Sequence, residues 1–141
     1  MIFHINRLTF KAGVAEEDRR ATLDAAREAG AANPAVRSFA VGPDLGGDFE
    51  WGAVYVVGDL DGYWAYLAHP AHVRSEMTGI QFTERFEAFD VTDSDDPEIG
   101  DKIARLQARH LQESPELAAL VARAPSFRVP GGTSPAAPDQ Q

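Results

Sequence analysis

The chain has no cysteine, so neither thiolate chemistry nor a disulfide is on offer. What remains is His4, His69, His72 and His110, together with Tyr66, Asp90 and Asn6. An imidazole oriented by a carboxylate keeps one tautomer and gains basicity, which suits a general base near neutral pH. His72 and His4 compete for that role, and His72 is preferred because its place near Tyr66 lets base and phenol converge on one carbonyl substrate. The chemistry would be abstraction of an acidic α-proton by His72, with the Tyr66 hydroxyl stabilising the enolate or alkoxide oxygen that develops. No cofactor is needed for such a step. Asn6 could hydrogen-bond a substrate oxygen, and Leu8, Leu23, Ala26, Trp51, Ala53, Leu67 and Phe86 would form the apolar lining usual in small-molecule pockets.

Each residue also has a structural reading. His69 precedes proline in a tight segment and is read as a hydrogen-bonded structural residue. Asp90 could pair with His4 or cap a backbone group. A metal site is not expected. His69 and His72 have His-x-x-His spacing, but Pro70 is read as preventing a regular helix there, and no third ligand is marked nearby except Asp90 or His4. His110 stands alone on a charged helix and is expected to be exposed. Asp93, Asp95, Asp96, Glu98 and Asp101 lack the glycine and spacing of a calcium loop and read as a solvated linker.

The elements that must position these residues follow from periodicity. Residues 1–11 alternate with the period of a strand, placing Ile2, His4, Asn6, Leu8 and Phe10 on one face. A helix is predicted over about 15–31, ended with the help of Gly30 and Pro34. Strands follow at 36–41 and 49–57, the latter with Trp51, Ala53, Tyr55 and Val57 on one face. A short helix over 60–67, the His69–His72 segment as a loop, and a fourth strand at 83–91 complete the set.

Strand, helix, strand, strand, helix, strand is the order of a ferredoxin-like split βαβ fold in the α+β class, with both helices on one face of an antiparallel sheet. In that order the first strand lies beside the fourth, so His4 comes near Asp90, both facing the helices. The other face would carry Phe3, Ile5, Val54, Val56, Phe89 and Val91. An apolar patch of that size is normally buried by a partner, which predicts a face-to-face homodimer forming a dimeric α/β barrel. The alternative is that the C-terminal extension covers it. That extension, 98–124, repeats apolar residues at helical spacing with a reset at Ser114-Pro115. The division is therefore a domain at 1–97, a helical extension at 98–124 and a disordered tail at 125–141, where four of the nine prolines fall.

The 141 residues fit one such domain. With 13 basic against 22 acidic residues the net charge is −9, which repels nucleic acid and anionic lipid surfaces. No apolar run is long enough for a membrane span, and the start of the chain lacks a signal-peptide block, so a cytoplasmic location is expected.

The segment Tyr66-Leu67-Ala68-His69-Pro70-Ala71-His72-Val73 resembles the most diagnostic stretch of the stress-responsive dimeric α/β-barrel (Dabb) family. His4, Phe10-Lys11 with Gly13-Val14, Phe39-x-x-Gly42 and Phe89-Asp90-Val91 extend the likeness over about 2–92, whereas the stretch beyond Asp96 lies outside the usual pattern. The resemblance implies the same fold and dimer. Members of that family include a polyketide cyclase, a hydroxynitrile lyase and heat-stable stress proteins. In the cyclase a tyrosine and a histidine of this segment act together, the histidine held by an aspartate near the end of the last strand; Tyr66, His72 and Asp90 match them. His4 matches another pocket histidine, and Trp51 replaces a further one. The implied function is cofactor-free acid–base chemistry on a largely apolar carbonyl or polyketide-like small molecule. A non-catalytic stress or ligand-binding dimer is the alternative. A cofactor-free monooxygenase using Trp51, Asn6 and Tyr66 ranks behind both, because that related family lacks the His-Pro-Ala-His segment.

Overall fold

The computed structural model describes residues 1–124 and 126–128. β1 (Ile2–Phe10) is the central strand, and its alternation decides the layering: Ile2, His4 and Phe10 are buried on the side that meets the helices. β3 (Trp51–Val57) and β4 (Thr83–Thr92) flank it antiparallel, and β2 (Ser38–Pro43) pairs outside β3. The strand order among the described residues is β2-β3-β1-β4-β5. The fifth strand, β5 (Phe127–Arg128), runs parallel to β4 opposite Phe86 and Glu87. Residues 126–128 were expected within a disordered tail; the rest of that expectation lies outside the described residues.

Residues directly opposite one another share a face, so the register builds rows across the sheet. On the helix side these rows are Tyr55–His4–Asp90, Ala53–Asn6–Ala88 and Trp51–Leu8–Phe86. On the other side they are Val56–Phe3–Val91 and Val54–Ile5–Phe89.

α1 (Glu16–Ala31) opens with Glu16, Glu17 and Asp18, whose charges suit the positive end of a helix dipole. Gly30 does not end it, as the sequence suggested. It sits in the last turn because a Cβ there would come within 2.4 Å of the Phe39 ring, so only glycine lets β2 pack against this helix. α2 (Leu60–Ala68) is capped by Asp59, whose carboxylate accepts the Gly62 N–H at 2.8 Å.

The His69–His72 segment is not a loop: α3 (Pro70–Gly79) begins at Pro70. Proline is excluded from helix interiors but suits the first helical position, where its missing N–H would be unpaired anyway. His69 holds the extended conformation favoured before proline, and its Nδ1 accepts the Ala71 N–H at 3.1 Å as an N-cap. A 3-10 turn, Ile80–Phe82, leads into β4.

The extension forms α4 (Ile99–Glu113) and α5 (Pro115–Ala122), with Ile103, Gln107 and His110 buried along one face of α4. α4 packs on α2, where the Arg109 guanidinium lies 3.9 Å from the Trp64 ring centroid. The extension therefore thickens the helix layer and does not cover the opposite sheet face. Val91 is left 54% exposed there.

One end of that opposite face is closed by the β2–β3 connection. Arg7 donates to both oxygens of Asp44, at 2.6 and 3.0 Å, and Phe49 is buried between the guanidinium groups of Arg7 and Arg85. The hydrogen bond from Arg7 holds the Asp44 carboxyl below its ordinary pKa. A carboxyl depressed in the folded state stabilises above its unfolded pKa, and that contribution is lost as pH falls through the folded value. Asp44→Asn should therefore cost about 2 kcal/mol at neutral pH, with the gap to the wild type shrinking in acid when thermal unfolding is followed across pH.

Candidate active site

Between the sheet and the helix layer lies a cavity of about 120 Å³. Its floor is the β1 row of His4, Asn6 and Leu8 with Trp51, Ala53, Phe86 and Ala88 beside it, and its walls include Leu23 and Ala26 of α1, Leu67 of α2 and His72 and Glu76 of α3. Gln107, Leu117 and Val121 of the extension and Phe127 of β5 also line it. Of the residues singled out from sequence, Tyr66 and Asp90 do not border the cavity. Both lie behind its histidines.

Asp90 holds His4, not the matching His72 of the family pattern. The pair is buried, with Asp90 Oδ1 2.8 Å from His4 Nδ1, because the register sets the two residues opposite each other. Tyr63 donates its hydroxyl to Asp90 Oδ2 at 3.1 Å, lies 3.2 Å from His4 Nδ1, and accepts from Gln107 Nε2 at 2.8 Å. Burial, reinforced by the negative Asp90, pushes the Tyr63 phenol far above its ordinary range, so it stays an O–H donor. With Nδ1–H given to the carboxylate, the lone pair of a neutral His4 is on Nε2.

His72 stands in the first turn of α3, its Nδ1 2.9 Å from the Leu67 carbonyl oxygen and 3.0 Å from Glu76 Oε1. The same carboxylate oxygen lies 2.7 Å from His110 Nε2. His110 is thus buried, contrary to the exposed position expected of it, because the face of α4 that carries it packs inward. Burial lowers the His72 pKa. Glu76 would be raised by burial, yet ends below the ordinary carboxylate value because His72 and the hydrogen bond from His110 outweigh that effect.

The Tyr66 ring is the partition between these clusters, with centroids 5.6 Å from His4, 4.5 Å from His72 and 5.1 Å from Tyr55. Burial keeps its phenol protonated. Asn6 presents the cavity with a carboxamide whose Oδ1 is buried without a hydrogen-bond partner among the described residues. Such an atom is normally met by water or a ligand.

Sequence reasoning missed Tyr63, Glu76 and Gln107. Tyr63 shares a helical face with Tyr66, three residues on, and Glu76 falls four residues after His72. The second spacing carries meaning only once α3 is known to begin at Pro70. No local signal marks Gln107.

Residues 2–93 match the Stress Responsive A/B Barrel Domain. The chain belongs to that family. A dimeric ferredoxin-like protein of unknown function from Thermobifida fusca has a TM-score of 0.58 at 24% identity, covering 64% of this chain and 89% of that one. Hydroxynitrile lyase from Passiflora edulis has a TM-score of 0.58 at 11% identity, over 66% of this chain and 94% of its own. SnoaB, a cofactor-independent oxygenase from Streptomyces nogalater, has a TM-score of 0.53 at 16% identity, over 68% and 95%. At these identities the likeness establishes a shared ferredoxin-like fold. No curated protein matches the chain in sequence. The family segment ends before α4, so Gln107 and His110 come to the site from outside it.

Tyr63→Phe would leave the Gln107 amide and one Asp90 oxygen without their buried partner. It should destabilise the fold by about 1–3 kcal/mol, measured by chemical denaturation.

Proposed function

We propose that this protein is a cofactor-free acid–base enzyme acting on a small, largely apolar carbonyl compound, with His4 as the general base. The carrying observation is the buried His4–Asp90 pair at 2.8 Å, whose His4 lies on the floor of an apolar cavity. Asp90 fixes the tautomer, leaves Nε2 to receive a proton, and stabilises the imidazolium that results. Tyr63 and Gln107 hold Asp90 in place. His72 borders the same cavity, but burial lowers its pKa and its carboxylate partner Glu76 is shared with His110, whereas Asp90 serves His4 alone among the histidines, so we assign the base role to His4.

Asn6 supplies the contact to the reacting oxygen. Its carboxamide can offer Oδ1 to a substrate hydroxyl or, turned by 180°, its NH2 to a developing oxyanion. Size limits the substrate: a cavity of about 120 Å³ compares with the roughly 150 Å³ that accommodates benzene. A single small ring or short branched chain fits that volume. The shared fold with a hydroxynitrile lyase and a cofactor-independent oxygenase is consistent with small-molecule chemistry of this kind.

Proton abstraction can be read without knowing the natural substrate. In D2O the protein should accelerate exchange of the α-protons of cyclopentanone, followed by NMR, and His4→Ala should lower that rate by about 100-fold or more. Exchange that is absent in the wild type, or unchanged in the variant, would sink the assignment.

We infer that the functional unit is a homodimer joined through the sheet face away from the helices. The rows Val56–Phe3–Val91 and Val54–Ile5–Phe89 put six apolar side chains there, and the fold is shared with a protein described as dimeric. Among the described residues, no helix is long and apolar enough to cross a membrane. Ile5→Glu, at the centre of that face, should halve the mass measured by light scattering while the far-ultraviolet circular dichroism keeps its shape.

A further inference from the structure

The cluster behind His72 has a composition and geometry that acid–base chemistry at His4 does not use. His72 and Glu76 lie four residues apart on α3, and His110 meets them from α4. One ligand atom from each can be chosen so that all lie within 4.8 Å of one another. We propose that His72, Glu76 and His110 form a binding site for a divalent transition metal such as Zn2+, with an open coordination position toward the cavity.

Two imidazoles and one carboxylate are the donor set that suits zinc and its first-row neighbours, and three protein ligands leave a position for water or substrate. Ligands at tetrahedral angles around a metal about 2.1 Å away are roughly 3.4 Å apart. Glu76 Oε1 stands 3.0 Å from His72 Nδ1 and 2.7 Å from His110 Nε2, so an ion is accommodated by moving Glu76 away from the two rings by several tenths of an ångström. The Leu67 carbonyl oxygen, 2.9 Å from His72 Nδ1, is the hydrogen-bond partner that an ion on that nitrogen would displace. Each neutral imidazole binds by moving its proton to its other ring nitrogen, so the ion displaces hydrogen bonds without requiring a net loss of protons. The donors are held on two packed helices, and the imidazole side chains are only 6% and 4% exposed. His72 and Glu76 border the cavity, which directs the open position to a ligand there.

Both sequence objections to a metal fall away. Pro70 opens a helix, and the missing ligands come from Glu76 and from a histidine far along the chain. Binding of the ion stands independently of the proposed chemistry at His4, since it is read without turnover.

The test uses the full chain after chelator treatment. Zn2+ is titrated by calorimetry, and Co2+ is titrated while its visible d–d absorption is recorded. The expected result is one ion per chain, a rise in Tm with Zn2+, and a Co2+ spectrum of low-coordinate nitrogen and oxygen ligation. Glu76→Gln and His110→Ala should each weaken Zn2+ binding by about 100-fold or more, the upper end of what loss of an outer partner alone brings. Glu76→Gln is nearly isosteric and guards against a variant that merely unfolds. Wild-type protein that binds no ion at one per chain, gives the Co2+ spectrum of the free hydrated ion, or binds as tightly in both folded variants overturns the site.

Discussion

A carboxylate placed beneath a helix layer must be met by donors, because an ionised group out of water is costly unless paired and hydrogen-bonded. Asp90 is in that position, with its side chain 8% exposed. His4 meets one oxygen from the neighbouring strand and Tyr63 meets the other from α2, while Gln107 of α4 fixes the phenol that does so. Four elements are thereby tied to one carboxylate. Shifting β1 by a single residue would turn His4 to the opposite face and leave Asp90 unmatched, so this cluster penalises slippage of the central strand as the apolar rows do.

Much of this was legible in the sequence because strand alternation has a short, rigid period. The facing of His4, Asn6 and Leu8, the neighbourhood of His4 and Asp90, and the split βαβ order all follow from it. The segment after α2 was not legible in the same way. Proline carries two meanings, breaking a helix from within and opening one at its first position. A Ser, Thr or Asp just before it would have signalled the second, but here His69 is the cap. Reading a loop hid the His72–Glu76 pairing and removed the reason to look for a third ligand.

The other omissions have a different origin. Gln107 and His110 act through contacts 44 and 34 residues distant in sequence, and helix periodicity reports which face is apolar, not which polar side chain that face carries inward. A buried histidine on an amphipathic helix bordered by Arg105, Arg109 and Glu113 looks solvated until its partner is known. These residues also lie outside the family segment. A site assembled from the family fold alone would lack the amide that fixes Tyr63 and the imidazole that meets Glu76.

The cavity itself is a consequence of side-chain size in three adjacent rows. Tyr55–His4–Asp90 and Trp51–Leu8–Phe86 carry large or tightly paired side chains, and the row between them is Ala53–Asn6–Ala88. Two alanines flanking an asparagine leave space that α1 and α3 cannot descend to fill, because the large rows on either side hold the helices away from the sheet. The one polar group of that middle row is Asn6, whose Oδ1 has no partner among the described residues. A packed core would have placed larger aliphatic side chains at these three positions, at lower cost in both cavity and unsatisfied polar atoms. The combination of a void with an unpaired acceptor beside an oriented imidazole is a loss to stability on each count, and it is intelligible as a place kept for a small polar-headed ligand.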